Sequence, residues 1–133
     1  MSIIIIDDEL ISRKKLSEIL KPYGECIEFD RGDSALVAIE KMIKSKQQID
    51  LITVDISMPY LNGLAVLKKI RTLEVDNNVL EVNQSKIIMV TSSVNRDNVM
   101  EALSQGCNDY ILKPFNEEAI IARLKKQNII VSE

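Results

Sequence analysis

Carboxylates, a hydroxyl and a lysine stand directly after short apolar runs of this 133-residue chain. They are Asp7 and Asp8 after IIII, Asp55 after LITV, Thr91 after IIMV and Lys113 after YIL. Two clustered carboxylates repel by about 4 kcal/mol at about 4 Å and an effective dielectric near 20, so a divalent cation is their natural partner. Oxygen ligands without histidine or thiolate favour Mg²⁺ over zinc. Joined by a lysine and a hydroxyl, such a set could clamp a phosphoryl group.

Taken singly, each of these residues has a plainer interpretation. The acidic pair could cap a helix that begins near Glu9, where the helix dipole also favours a first-turn glutamate. Asp55 could be a turn residue, Thr91 a cap of the loop that follows it, and Lys113 a solvated side chain. The joint pattern favours a site, because the carboxyl ends of parallel strands lie side by side at one edge of a sheet.

The elements that would position these residues alternate along the chain. Apolar runs predict strands at residues 3–6, 27–29, 51–54, 87–90 and 110–112. Most of these runs are continuous, which is typical of parallel strands covered on both faces. Five β-then-α units follow, and right-handed crossovers place the helices on both faces of one sheet. The sequence therefore predicts an α/β fold, a doubly wound five-stranded parallel sheet.

Apolar residues at helical spacing predict the five helices between and after these strands. They are Leu16, Ile19 and Leu20; Leu36, Ile39 and Ile43; Val66, Leu67 and Ile70, facing inward in a helix over about 64–73; Val99, Met100 and Leu103; and Ile120, Ile121 and Leu124. The expected boundary signals are Pro22 and Gly24 after the first helix, Asp33 or Ser34 as N-cap of the second, Gly106 after the fourth and Asn116 before the fifth.

One connection differs from the others in length and composition. Residues 74–86 (EVDNNVLEVNQSK) form a long polar stretch rich in asparagine. We predict a mobile segment, part of which Val79, Leu80 and Val82 could pin to the core.

Composition and charge exclude several classes of function. The formal charge of -3, from 17 basic and 20 acidic residues, gives no reason to expect nucleic acid or an anionic membrane as partner. The apolar runs are far shorter than the roughly 20 residues of a membrane span, and no basic segment precedes the first one. Histidine is absent, which removes most hydrolase triads and zinc sites. Cys26 and Cys107 are isolated, and we expect buried reduced thiols in a cytoplasmic protein.

The sequence resembles the receiver domains of two-component response regulators from Ile3 to about Lys126. The resemblance is carried by Asp7-Asp8, Asp55 in DISMP, Thr91 in MVTSS, Tyr110 and Lys113 in NDYILKPF, with Pro59, Gly63 and Gly106 as further matches. It implies a flavodoxin-like strand order, 2-1-3-4-5. It also implies a receiver domain over residues 1–127 with a short tail at 128–133.

The resemblance further implies a phosphorylation switch in which Asp55 accepts a phosphoryl group from a histidine kinase or phosphotransfer protein. Mg²⁺ would be held by the carboxylates of Asp8 and Asp55 and the backbone carbonyl of Ser57, with Asp7 reaching it through water. Lys113, next to a cis Lys113-Pro114 bond, would pair with a phosphate oxygen.

The resemblance assigns the switch itself to Thr91 and Tyr110. They would couple the phosphate to a target-binding face formed by the fourth helix, fifth strand and fifth helix. On this interpretation the chain is a regulatory domain rather than a conventional enzyme, although it promotes its own phosphoryl transfer and aspartyl-phosphate hydrolysis.

Three rival functions stay open at this point. A haloacid-dehalogenase-like phosphatase also uses an aspartate nucleophile with Mg²⁺, but it needs a second aspartate where this chain has Ser57. A dinucleotide-binding module would need a GxGxxG motif after a strand, and no strand is followed by one. A receiver-fold module could also switch by protein contact without phosphate. Residues 127–133 are too short for an effector domain, so the chain is either a stand-alone receiver or part of a longer regulator.

Overall fold

The computed structural model, which describes residues 1–131, alternates five parallel strands with five helices. In chain order they are β1 (Ser2–Ile6), α1 (Leu10–Leu20), β2 (Glu25–Phe29), α2 (Gly32–Lys44), β3 (Leu51–Val54), α3 (Gly63–Asp76), β4 (Lys86–Thr91), α4 (Arg96–Ser104), β5 (Asp109–Leu112) and α5 (Glu117–Lys126). The sheet order is β2-β1-β3-β4-β5 and every pairing is parallel. The fold class expected from the sequence and the strand order implied by the resemblance are confirmed.

The sheet carries a hydrophobic core on each face. Alternate residues of the central strands, such as Ile4 and Ile52, join the core that also contains Leu67 of α3. Their neighbours, such as Ile3, join the other core together with Leu16 of α1. Because both faces of β1 and β3 are covered, these strands consist almost entirely of apolar residues, with Ser2 of β1 and Thr53 of β3 as the polar members. They form a rigid base for the loops at their carboxyl ends.

Most of the predicted helix boundaries are confirmed. Gly106 follows α4 with a φ of 96°, the left-handed conformation that favours glycine. The side chain of Asn116 caps α5 by accepting a hydrogen bond from the Ala119 N–H at 2.8 Å. Helix α1 ends at Leu20, and a short 3₁₀ turn that contains Pro22 follows it.

The predicted N-cap of α2 was wrong. The helix begins at Gly32 and its N-cap is Arg31, so Asp33 and Ser34 lie inside the first turn. The Asp33 carboxylate pairs with the Arg31 guanidinium at 2.7 Å. A salt bridge within the turn therefore replaces the side-chain cap that the sequence suggested.

The connection at residues 74–86 is anchored by a buried ion pair. Helix α3 continues to Asp76, and Glu74 is only 2% exposed. Its carboxylate accepts hydrogen bonds from the Arg71 guanidinium at 2.7 Å and from the Ser85 N–H at 2.8 Å. Of the three apolar residues that could pin the segment, Leu80 and Val82 are exposed and only Val79 is partly buried. The two ends of the segment are joined by polar contacts.

The apolar tail does not continue α5. After Asn128, which has a φ of 58°, the Ile129 N–H donates to the Leu124 carbonyl at 2.8 Å. Ile129 and Ile130 then pack against the core on the α1 and α5 side. Ser132 and Glu133 lie outside the described residues.

Two further expectations concerned buried cysteine thiols and the lack of a membrane-spanning segment. Cys107 is buried as expected, whereas Cys26 is only partly buried. Among residues 1–131, no helix has both the length and the apolar character needed to cross a membrane.

Candidate functional site

The acidic cluster forms where two neighbouring strands end. Ile6 of β1 lies opposite Val54 of β3, so the residues that follow them emerge side by side. Carboxylate oxygens of Asp7, Asp8 and Asp55 lie within 4.8 Å of one another. Asp7 and Asp55 are 2% and 3% exposed, whereas Asp8 faces solvent. The structure thus brings together three of the residues that the sequence singled out.

Lys113 reaches this cluster from the end of β5. Its ammonium lies 2.8 Å from an Asp7 oxygen and 2.9 Å from an Asp55 oxygen. The peptide bond to Pro114 is cis, as expected from the resemblance. The interpretation of Lys113 as a solvated side chain is excluded, because the side chain is only 7% exposed.

Burial and neighbouring charges in the cluster shift two pKa values. Burial alone would lower the pKa of Lys113, but its hydrogen bonds to Asp55, Asp7 and Glu9 outweigh that effect and raise it. For Asp7, burial raises the carboxyl pKa, and the contacts with Lys113 only partly counter it. The contacts with these carboxylates therefore favour the charged form of the lysine.

The loop after β3 fixes the Asp55 side chain. One carboxylate oxygen accepts from the Ser57 N–H at 3.1 Å, and the other accepts from Lys113. The loop folds back so that the Gly63 N–H donates to the Ile56 carbonyl at 2.9 Å. A Cβ at Gly63 would lie 2.1 Å from the Asp55 carbonyl oxygen, so only glycine fits this close approach. Gly63 thus permits the loop geometry that orients Asp55.

Thr91 and Tyr110 both contact the loop that follows β4. Thr91 is fully buried, and its hydroxyl accepts a hydrogen bond from the Ser93 N–H at 3.3 Å. Tyr110 is partly buried and its hydroxyl donates to the Ser93 carbonyl at 3.0 Å. The two residues expected to form a switch therefore contact the same residue of one loop.

Glu9 is a residue of the site that the sequence did not reveal. We expected it in the first turn of α1, but it is the N-cap residue, with extended backbone and no side-chain cap. Its carboxylate contacts the Lys113 ammonium at 2.5 Å. Asp7 does stabilise the start of the helix, since its carboxylate accepts from the Glu9 N–H at 2.9 Å. Nothing in the DDE triplet indicates that Glu9 contacts Lys113, a lysine 104 positions away in the sequence.

The donor set of the cluster suits a hard divalent cation. Three carboxylates offer oxygen ligands within 4.8 Å, and one of them is open to solvent. Mg²⁺ takes only one or two carboxylates and keeps oxygen ligands from water and phosphate, so an acidic edge with one open side fits it. The residues present therefore fit the ion that the resemblance implies.

Comparison with known proteins gives a consistent picture. The sequence profile described as "Response regulator receiver domain" matches residues 3–125. The chemotaxis protein CheY of Bacillus subtilis is 29% identical over 124 residues, which cover 93% of this chain and 94% of that protein. CheY-3 of Vibrio cholerae is 30% identical over 128 residues, which cover 95% of this chain and 90% of that protein.

A solved structure supports the same assignment. The CheY-like receiver domain of Methanospirillum hungatei superposes with a TM-score of 0.79 at 26% identity, covering 96% of this chain and 94% of that one. The five-stranded order and the acidic cluster at the carboxyl edge agree with this likeness. The chain belongs to the family of response regulator receiver domains, the phosphorylation-based switches of two-component signalling.

Proposed function

We propose that Asp55 is the phosphoacceptor of this receiver domain. The observation that carries the proposal is the placement of its buried carboxylate. One oxygen is held by the Lys113 ammonium and the other by the Ser57 N–H, beside two further carboxylates. A carboxylate is nucleophilic without a general base, so the absence of histidine is no obstacle.

In the proposed reaction, an Asp55 oxygen forms a bond to the phosphorus of a phosphohistidine on a kinase or phosphotransfer protein. The P–N bond breaks and its electron pair leaves with the imidazole. Lys113 binds a phosphoryl oxygen and offsets part of the charge that the transfer brings into the site. The Ser57 N–H keeps the attacking carboxylate in a fixed orientation.

Mg²⁺ would be held by Asp8, Asp55 and the backbone carbonyl of Ser57, with Asp7 acting through water. When bound, the ion offsets negative charge on the transferring group. The open side of the cluster, at the exposed Asp8, leaves room for the ligands that the ion keeps from water and phosphate.

Phosphorylation is proposed to reach the target-binding face through Thr91 and Tyr110. Once Thr91 donates its hydroxyl hydrogen bond to a phosphoryl oxygen, it moves inward and leaves space for Tyr110 to rotate from an exposed to a buried position. The hydrogen bond from the Tyr110 hydroxyl to the Ser93 carbonyl joins the tyrosine to the loop that follows β4. The face of α4, β5 and α5 carries exposed apolar side chains that suit a protein partner: Met100, Leu103 and Leu112. Neither direct nucleic-acid contact nor membrane insertion is part of this proposal.

Intact mass spectrometry after incubation with Mg²⁺ and acetyl phosphate tests the proposal. We expect one phosphoryl adduct, lost with excess EDTA and in Asp55→Asn, and retained in the matched control Asp30→Asn at the end of β2. An adduct that survives Asp55→Asn would assign the phosphate to another residue. Sustained turnover of phosphomonoesters would favour a phosphatase instead.

Hydrogen exchange tests the proposed route to the target-binding face. With the phosphoryl mimic beryllofluoride, we expect exchange to change in residues 92–112 of the unmodified protein and much less in Tyr110→Ala. An unchanged pattern in the unmodified protein would favour a module that switches by protein contact alone.

A further inference from the structure

Three carboxylates surround the Lys113 ammonium in this structure. The ammonium donates hydrogen bonds to Glu9 and Asp55, at 2.5 and 2.9 Å. An Asp7 oxygen forms an ion pair with it at 2.8 Å. A phosphoryl oxygen that arrives at Asp55 therefore competes with these carboxylates for the ammonium.

Burial decides which contact is released most easily. The side chains of Asp7 and Asp55 are 3% and 4% exposed, so an oxygen that loses the lysine would stay buried without that partner. The side chain of Glu9 is 59% exposed, so water can solvate its carboxylate when the contact with Lys113 is lost. Glu9 makes no side-chain cap of α1, and its other side-chain contact is a long hydrogen bond of 3.4 Å from the exposed Ser12 hydroxyl.

We propose that Glu9 is a displaceable counter-ion of Lys113, a positioning residue whose negative charge slows phosphorylation of Asp55. It accepts a hydrogen bond from the lysine before transfer and yields that donor to the phosphoryl group. This inference rests on the proposed role of Asp55 as phosphoacceptor. It adds a residue that sets how readily the site accepts a phosphoryl group.

The charge balance of the transfer gives the direction of the effect. With acetyl phosphate, an Asp55 oxygen bonds to phosphorus while the bond from phosphorus to the acetyl oxygen breaks, and acetate leaves with that electron pair. The carboxylate monoanion becomes an acyl phosphate dianion, so the pocket gains one negative charge and needs the lysine more. The carboxylate at position 9 competes with the incoming phosphoryl group for that lysine. Its removal should therefore accelerate the reaction.

The test compares two variants that lose the same charge, one at the start of α1 and one in its last turn. Glu9→Gln keeps the shape and hydrogen-bonding capacity of the side chain and removes its charge. Glu18→Gln removes one charge from an exposed position of α1, away from the cluster. Phosphorylation rates are measured by intact mass over a series of acetyl phosphate concentrations in Mg²⁺, at low and at high salt.

We expect Glu9→Gln to raise the rate at subsaturating acetyl phosphate about two- to fivefold, the size typical of a partly exposed ion pair, and Glu18→Gln to leave it unchanged. The gain should shrink at high salt, because salt screens exposed charges. In a Lys113→Met background, followed over longer times, Glu9→Gln should have no effect, since the proposed action passes through the lysine. Urea unfolding of each variant establishes that it is folded.

Several results would overturn the proposal. Equal rates for Glu9→Gln and the unmodified protein, or a slower Glu9→Gln, would show that the glutamate does not compete for Lys113. An equal gain in Glu18→Gln, or a gain that persists without the lysine, would show a general effect of charge. If the unmodified protein forms no adduct at Asp55, the proposed function fails, and that outcome is distinct from unequal or equal rates among proteins that do form it.

Discussion

Replacing Asp8 by asparagine should stabilise the protein when no divalent cation is present. Asp8 lies within 4.8 Å of two other carboxylates. Unit charges at that distance repel by about 0.9 kcal/mol in bulk water and by about 3.5 kcal/mol at an effective dielectric near 20. Because Asp8 is exposed, the lower figure applies to each neighbour, and Lys113 offsets part of it. We therefore expect Asp8→Asn to raise the free energy of unfolding by about 1 kcal/mol in EDTA.

Urea unfolding with and without Mg²⁺ measures this effect. In EDTA, Asp8→Asn should be more stable than the unmodified protein, whereas Asp30→Asn, the same change at the end of β2, should leave stability unchanged. Mg²⁺ at about a hundred times its dissociation constant should stabilise the unmodified protein by about 2.7 kcal/mol, and Asp8→Asn much less. The reasoning is refuted if Asp8→Asn is no more stable in EDTA, or if Mg²⁺ stabilises both proteins equally.

Two further predictions concern parts of the molecule away from the acidic cluster. Arg71→Met leaves the Glu74 carboxylate buried without its cation, so we expect the free energy of unfolding in urea to fall by about 3 kcal/mol. Lys68→Met, on the exposed face of the same helix, should change it little. A fall of less than about 1 kcal/mol for Arg71→Met, the size typical of exposed ion pairs, would contradict the buried pairing. Burial raises the pKa of the Cys107 thiol to about 11. Alkylation of this thiol in the folded protein should therefore be slow at neutral pH and accelerate as the pH rises towards that value. Fast alkylation of Cys107 at neutral pH, located by peptide mass spectrometry, would contradict this prediction.

The strand ends could be predicted because they depend on local patterns and on one general rule. Continuous apolar runs located β1 and β3, and parallel strands end at the same edge of a sheet. That rule places Asp7 and Asp55 at one edge, the strand order implied by the resemblance makes them neighbours, and the structure confirms that they meet. The N-cap Asn116 could be predicted for the same reason, since its side chain bonds to the backbone only three positions further along the chain.

The features that the sequence did not reveal depend on contacts between distant residues. The sequence placed Glu74 at the start of a polar loop. Its burial depends on contacts with Arg71 and with Ser85, which lies eleven residues further along the chain. Glu9 looked like an ordinary first-turn residue, because its partner is Lys113 at the far end of the chain. The apolar pattern located α4 but not its buried face, which is formed by Ala102 while Met100 is more than half exposed.

Locating the phosphoryl group on one residue is the most direct test of the central claim. Protein incubated with acetyl phosphate and Mg²⁺ is treated with borohydride, which reduces an aspartyl phosphate to homoserine, and then digested for peptide mass spectrometry. We expect homoserine at position 55 and at no other aspartate of the peptides recovered. Reduction at Asp7 or Asp8 with Asp55 intact would contradict the account, as would a phosphorylated protein that yields no homoserine.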